Sequence, residues 1–161
     1  MGFRDRVRGI ARPDPDVSPV DPEELRLRLL RLNQPAEPWL VRDGTVEKVD
    51  LVVEWKTSDP DWKDLLSKVG VNDTFSTRLR FHARAHEVRS KDRCFAGDWY
   101  SDENGGRYYR ESWQNGQLHD VAERSVDGQR YRFDSKDFKN ILKQTITDAG
   151  WSYRAVVMRK L

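Results

Sequence analysis

Three histidines, His82, His86 and His119, and one cysteine, Cys94, are the side chains of this chain best suited to proton transfer, metal ligation or nucleophilic attack. His82 and His86 share a face if a strand runs through both, whereas Ala83-Arg84-Ala85 between them can equally end a hairpin and turn them apart. A metal would need a third ligand such as Glu87 or Asp92, and the spacing matches no helix-borne zinc pattern, so no metal site is expected. Cys94 follows Arg93, which could lower its pKa, but a lone cysteine beside Phe95 is more often a small buried hydrophobe. An enzyme with a pocket near His82, His119 and Cys94 is therefore one reading and not the leading one. The chain has no phosphate loop, dinucleotide fingerprint, Gly-x-Ser-x-Gly elbow or kinase signature, and no cofactor is expected.

Arginine offers a different chemistry. In 75–82 the residues Phe75, Thr77, Leu79 and Phe81 alternate with Ser76, Arg78, Arg80 and His82, which places Arg78 and Arg80 on the outer face of a strand. Arg84 extends that series, and Arg130, Arg132 and Arg154 face outward on other strands. Brought together they would bind phosphate or a polyanion, with Tyr108 or Trp99 stacking on bases. The competing reading is a solvated face on which these arginines pair with Asp50, Glu54, Glu111 or Glu123. Trp39, Trp99 and Trp113 are further surface platforms for an aromatic or sugar ligand. Asp98, Asp102, Glu103 and Asn104 have calcium-type oxygens, yet Tyr109 stands where a twelve-residue loop from Asp98 needs its closing acid, so the cluster reads as a hairpin tip.

A third candidate lies at the N-terminus, where Phe3, Val7 and Ile10 take positions i, i+4 and i+7 beside Arg4, Arg6, Arg8 and Arg12. A short amphipathic helix there could meet a partner groove or an acidic membrane surface through Phe3, Arg4, Val7, Arg8 and Ile10.

The elements that must position these groups are legible in the hydrophobic periodicity. Val49, Leu51, Val53, Trp55 and Thr57 keep a period of two, and Trp62, Leu65, Leu66 and Val69 follow at helical spacing. A first helix is expected from Pro22, capped by Asp21, to about Leu32, with Asn33 as a left-handed stop. Asp59 and Pro60 open a second helix that Gly70 closes. Asp134 or Ser135 opens a third, with Phe138, Ile141, Leu142, Thr145 and Ala149 inside and Gly150 at its end. Strands are expected at 39–41, 49–57, 75–82, about 95–100, 108–113, 131–133 and 151–158, with turns at 102–106, Asn115-Gly116 and Asp127-Gly128. The expected fold is α+β: one antiparallel, meander-like sheet of about six to seven strands with about three helices on one face.

The chain has 161 residues, and its 37% hydrophobic share, with six Trp and six Phe, is enough for one core. Residues 1–20 read as a flexible basic tail and a Pro/Asp linker, since Pro13, Pro15 and Pro19 oppose both helix and sheet; 21–161 read as one compact domain. The net charge of +2 gives no global pull toward nucleic acid, so any anion site must be local. One cysteine, no apolar run of membrane length and no signal segment point to the cytoplasm.

Trp39-Leu40-Val41-Arg42-Asp43-Gly44, Val49 to Lys56, Asp61-Trp62 and Gly150-Trp151 resemble segments of small uncharacterised actinobacterial proteins of high-GC type. The resemblance covers about residues 20–161 and implies a bacterial cytosolic protein. It brings no activity, cofactor or site residue. The functional expectation is a module that binds rather than catalyses, through its sheet face or tail; a protein partner leads, and nucleic acid or an acidic lipid surface is the alternative.

Overall fold

In the computed structural model, residues 9–71, 75–94, 100–101, 107–112, 118–156 and 161 are described. In chain order the elements are β1 (Ile10–Ala11), α1 (Pro22–Leu30), β2 (Trp39–Asp43), β3 (Leu51–Trp55), α2 (Lys63–Val69) and β4 (Phe75–His82). They continue with β5 (Glu87–Cys94), β6 (Tyr100–Ser101), β7 (Arg107–Ser112), β8 (Leu118–Val126), β9 (Gln129–Asp134), α3 (Ser135–Asp148) and β10 (Ser152–Ala155). No helix among the described residues is long and apolar enough to cross a membrane.

The α+β class and the three helices agree with expectation; the single antiparallel sheet does not. Two sheets form, one in the order β1-β10-β5-β4-β3-β2 and one in the order β6-β7-β8-β9. The larger is mixed, because β10 runs parallel to β5 while its other pairs are antiparallel. The reason lies in α3, which carries the chain from the end of β9 back across the larger sheet before β10 begins. Such a crossover can deliver a parallel strand, as a tight hairpin cannot.

The helix ends follow from local chemistry. Asp21 Oδ1 accepts the Glu24 amide at 2.9 Å, and Pro22 opens α1 without losing a needed donor. At α2 and α3 the same Schellman ending recurs: Gly70 (φ +96°) with Val71 N donating to Leu66 O, and Gly150 (φ +79°) with Trp151 N donating to Ile146 O. Asp59 organises the turn before α2 through the Asp61 amide, but the helix starts later, at Lys63, with no side-chain cap. Asn33 is no left-handed stop; its side-chain amide instead makes two bonds to the Val41 backbone, at 2.7 and 2.8 Å, and so covers edge strand β2.

The core sits against one face of the larger sheet. Trp39, Val41, Leu51, Val53, Trp55, Phe75, Leu79 and Val88 meet Leu25 and Leu29 of α1 and Phe138, Leu142 and Ile146 of α3. Ile141 is 38% exposed rather than part of that stripe, because α3 turns Phe138, Leu142 and Ile146 inward. The smaller sheet joins through Ala122 and Phe133, and Trp55 Nε1 donates to Asp120 Oδ2 at 2.9 Å between the two sheets.

Residues 10–20 are not a free linker. Ile10 is buried and pairs with β10, so it does not belong to a tail helix; Phe3, Arg4, Val7 and Arg8 lie outside the described residues. The Val20 amide donates to Ala149 O and Trp151 Nε1 donates to Val20 O, which satisfies backbone groups that the prolines leave without ladder partners. A Cβ at Gly150 would lie 2.6 Å from the Pro19 backbone, at a left-handed φ that alanine resists. Gly150→Ala should therefore cost about 2–4 kcal/mol, read as a lower denaturation midpoint. Wild-type stability in that variant would show that the segment does not lie on the end of α3.

Candidate functional site

Strands β4 and β5 alternate strictly, and their outward positions build a strongly basic surface. Arg78 pairs in register with Lys91, Arg80 with Arg89, and Ser76 with Arg93; Arg154 on β10 lies beside Arg89. Neighbouring strands are about 4.8 Å apart, so these cations share one surface. Of the arginines expected to converge, Arg78, Arg80 and Arg154 do so. Arg84 does not, because it occupies the exposed 3-10 turn Ala83–Ala85 at the hairpin end. Arg130 and Arg132 belong to β9 of the other sheet, where both pair with Glu123, at 2.5 and 3.5 Å.

The charges on this face are not equivalent. Glu87 accepts from Arg89 Nε at 2.9 Å and from Arg154 Nε at 2.8 Å, and although burial opposes its ionisation, those two bonds hold its carboxyl below the usual glutamate range. Arg42 is held by Glu47 at 2.6 Å and Glu54 at 2.9 Å, which raises its pKa further. One end of the face thus sets two arginines on one glutamate, and the other sets two glutamates on one arginine.

Between them lies a cleft of about 240 Å³ lined by Glu47, Lys48, Val49, Arg78, Arg80, Lys91, Arg93 and Leu161. The loop of residues 44–50 forms its rim. Arg80 donates to the Lys48 carbonyl, Lys48 adopts a left-handed conformation (φ +59°), and Arg42 draws Glu47 over the sheet. Val52 points to this outer face between Arg42 and Arg78 in register, yet it is buried, since the long side chains around it cover it. Arg78 is the most constrained cation: its Nε is buried without a hydrogen-bond partner, and burial together with the charge of Arg93 lowers its pKa. A half-buried guanidinium with one donor short of a partner favours the arrival of an anion.

His82 and Cys94 do not meet. His82 and Cys94 mark opposite ends of the β4–β5 ladder, a separation of about 23 Å at 3.3 Å per residue. His119 belongs to β8 of the other sheet, paired with Glu111. Burial, then the charge of Arg89, lowers the pKa of His82, and its buried Nε2 has no partner. His86 ends the hairpin at φ +44°, its ring edge-on to Trp151 at 5.5 Å. Trp39 is 2% exposed and belongs to the core rather than to a surface platform. The side chains of Cys94, Tyr108, Glu111 and His119, together with Phe95, Asp98, Trp99, Asp102, Glu103, Asn104 and Trp113, lie outside the described residues.

Lys48, Arg89, Lys91 and Arg93 escaped the periodicity reading. The signal for the last three is the alternation Arg89-Ser90-Lys91-Asp92-Arg93, obscured because two of its inward positions are polar.

Arg42 holds the Glu47 carboxyl below its ordinary pKa of 4.5 through a hydrogen bond that outweighs the cost of burial. The contribution of this pair to stability is thus fully present above pH 4.5 and disappears as pH falls through the depressed folded value. Glu47→Gln should melt below the wild type at pH 7, and the gap should close on acidification; a pH-independent gap would mean that charge is not what holds the loop. Comparison with protein-family models, curated proteins and solved structures finds no match to this chain.

Proposed function

We propose that the chain is a binding module and that the cleft between the 44–50 loop and strands β4 and β5 takes a phosphate-bearing anion. One observation carries the reading: five cations, Lys48, Arg78, Arg80, Lys91 and Arg93, line a cleft whose one acidic side chain, Glu47, is already bound to Arg42. Elsewhere the arginines are bound directly to a carboxylate, as at Glu87 and Glu123. Arg78 and Lys91 make no ion pair within the described residues, so their two charges add locally although the whole chain carries only +2. A phosphate group accepts several charge-assisted hydrogen bonds at once, which suits converging guanidinium and ammonium groups. Val49 and Leu161 give the cleft an apolar side, and no aromatic ring lines it. Recognition would therefore rest on the phosphate and not on base stacking.

The test is a titration of isotope-labelled protein with pyrophosphate, a single-stranded oligonucleotide, acidic lipid vesicles and an acidic peptide, each at low and moderate salt. Amide shifts centred on residues 47–49, 78–80 and 91–93 are expected with the phosphate-bearing probes. Lys91→Ala should weaken binding by about tenfold or more, the worth of one charge-assisted bond, while leaving the melting temperature nearly unchanged. For the oligonucleotide it should also flatten the salt dependence by about 0.7 in log–log slope. Binding by the acidic peptide alone would overturn the phosphate assignment in favour of a protein partner, and shifts confined to other residues would remove the cleft from consideration.

A further inference from the structure

The basic face continues past the cleft along β5, and its donors stand in rungs. The register of β4 and β5 sets Arg80 beside Arg89, Arg78 beside Lys91, and Ser76 beside Arg93. Successive rungs are two residues apart, about 6.8 Å in an antiparallel strand, and the two members of a rung belong to strands about 4.8 Å apart. One anion above a rung can therefore take donors from both strands. Arg80 already donates to the Lys48 carbonyl and Arg89 Nε to Glu87. A guanidinium carries several N–H groups, so both keep donors for a ligand. Ser76 adds a hydroxyl to the third rung.

The acids bordering this row are engaged. Glu87 is shared by Arg89 and Arg154, Glu47 and Glu54 hold Arg42, and Asp50 Oδ2 accepts the Phe81 amide at 2.8 Å. The 44–50 loop rims one side, so a ligand is guided along the strands rather than across them.

The repeat selects the ligand. Adjacent phosphates of a stretched single-stranded nucleic acid are separated by a sugar and lie at a similar spacing, whereas those of a polyphosphate share one oxygen and are far closer together. An extended acidic peptide repeats every two residues as the strands do, but its backbone N–H and C=O groups would need partners. Here β4 and β5 already bond to each other and to β3 and β10, so the face offers none. A bilayer would meet the rim first, where Val46 is 90% exposed, and a single valine gives little insertion.

We propose that these three rungs, Arg80 with Arg89, Arg78 with Lys91 and Ser76 with Arg93, hold three consecutive phosphates of a single-stranded nucleic acid. The inference rests on the phosphate reading of the cleft and extends it from one anion to a polymer of fixed repeat. No aromatic ring lines the cleft, so binding is independent of base sequence.

Affinity of the full chain would be measured for oligothymidylates of two, four and eight nucleotides, a hairpin duplex, pyrophosphate and an alternating Asp-Ser peptide. The tetranucleotide, with its three phosphates, should bind at least about tenfold more tightly than the dinucleotide, and the octanucleotide should add only the few-fold gain of extra registers. The log–log salt slope of the tetranucleotide should be near about −2, from about 0.7 per phosphate. The hairpin, whose backbone curves away from a straight row, should bind more weakly. Arg89→Ala should weaken tetranucleotide binding about tenfold and leave pyrophosphate binding unchanged, since Arg89 does not line the cleft. Pyrophosphate binding with no gain from dinucleotide to tetranucleotide overturns the row of rungs while the phosphate reading stands. Failure of every phosphate-bearing probe overturns both. Tighter binding of the hairpin or the peptide than of the tetranucleotide overturns the single-strand assignment. The length series is read on the wild-type chain and stands even if the variant fails to fold.

Discussion

The packing of Phe138 decides which face of the larger sheet is core and which meets water. Its ring lies 5.9 Å from Trp39, 5.2 Å from Trp55 and 6.2 Å from Phe75, so one residue of α3 touches three adjacent strands. Burying a side chain of this size is worth about 1.5–3 kcal/mol, and each ring contact adds about 0.5–1.5 kcal/mol. Because strand side chains alternate, fixing α3 on this face commits Arg78, Arg80, Lys91 and Arg93 to the other. The charged surface is thus a geometric consequence of where an aromatic ring sits.

Strand β5 shows the two faces most plainly. Val88, Ser90 and Asp92 turn inward, and Arg89, Lys91 and Arg93 turn outward. Asp92 is tolerated inside because Lys139 and Thr77 complete its bonds, and a buried carboxylate with those partners is far less costly than one alone. Lys91, one residue earlier and on the other face, needs no such partner, since that cleft is open to water. Two chemical environments are therefore separated by the thickness of a single strand.

The sequence made the helices legible because their ends are written in short-range chemistry. Asp21-Pro22, Gly70-Val71 and Gly150-Trp151 each act within one turn, and each appears in the structure where its spacing places it. The strand order was not legible, since pairing joins residues far apart in the chain. Arg78 and Arg130 look alike in sequence but belong to different sheets. β5 escaped notice because a polar inner face, Ser90 and Asp92, erases the hydrophobic alternation on which strand recognition rests. Ile10 and Val20 were hidden similarly: nothing local in a proline-rich segment shows that it will cover the end of a helix formed 130 residues later.

The pairing of β1 with β10 joins the two ends of the described chain in one sheet, with β10 also bound to β5. On the ribosome, Ile10 and Ala11 emerge early and have no partner until residues 152–155 follow. The inner surface of β5 likewise waits for α3. The sheet therefore cannot close progressively from one end, and the nascent chain carries exposed apolar strand surface until residues 152–155 have emerged, an interval in which aggregation and chaperone capture compete with folding.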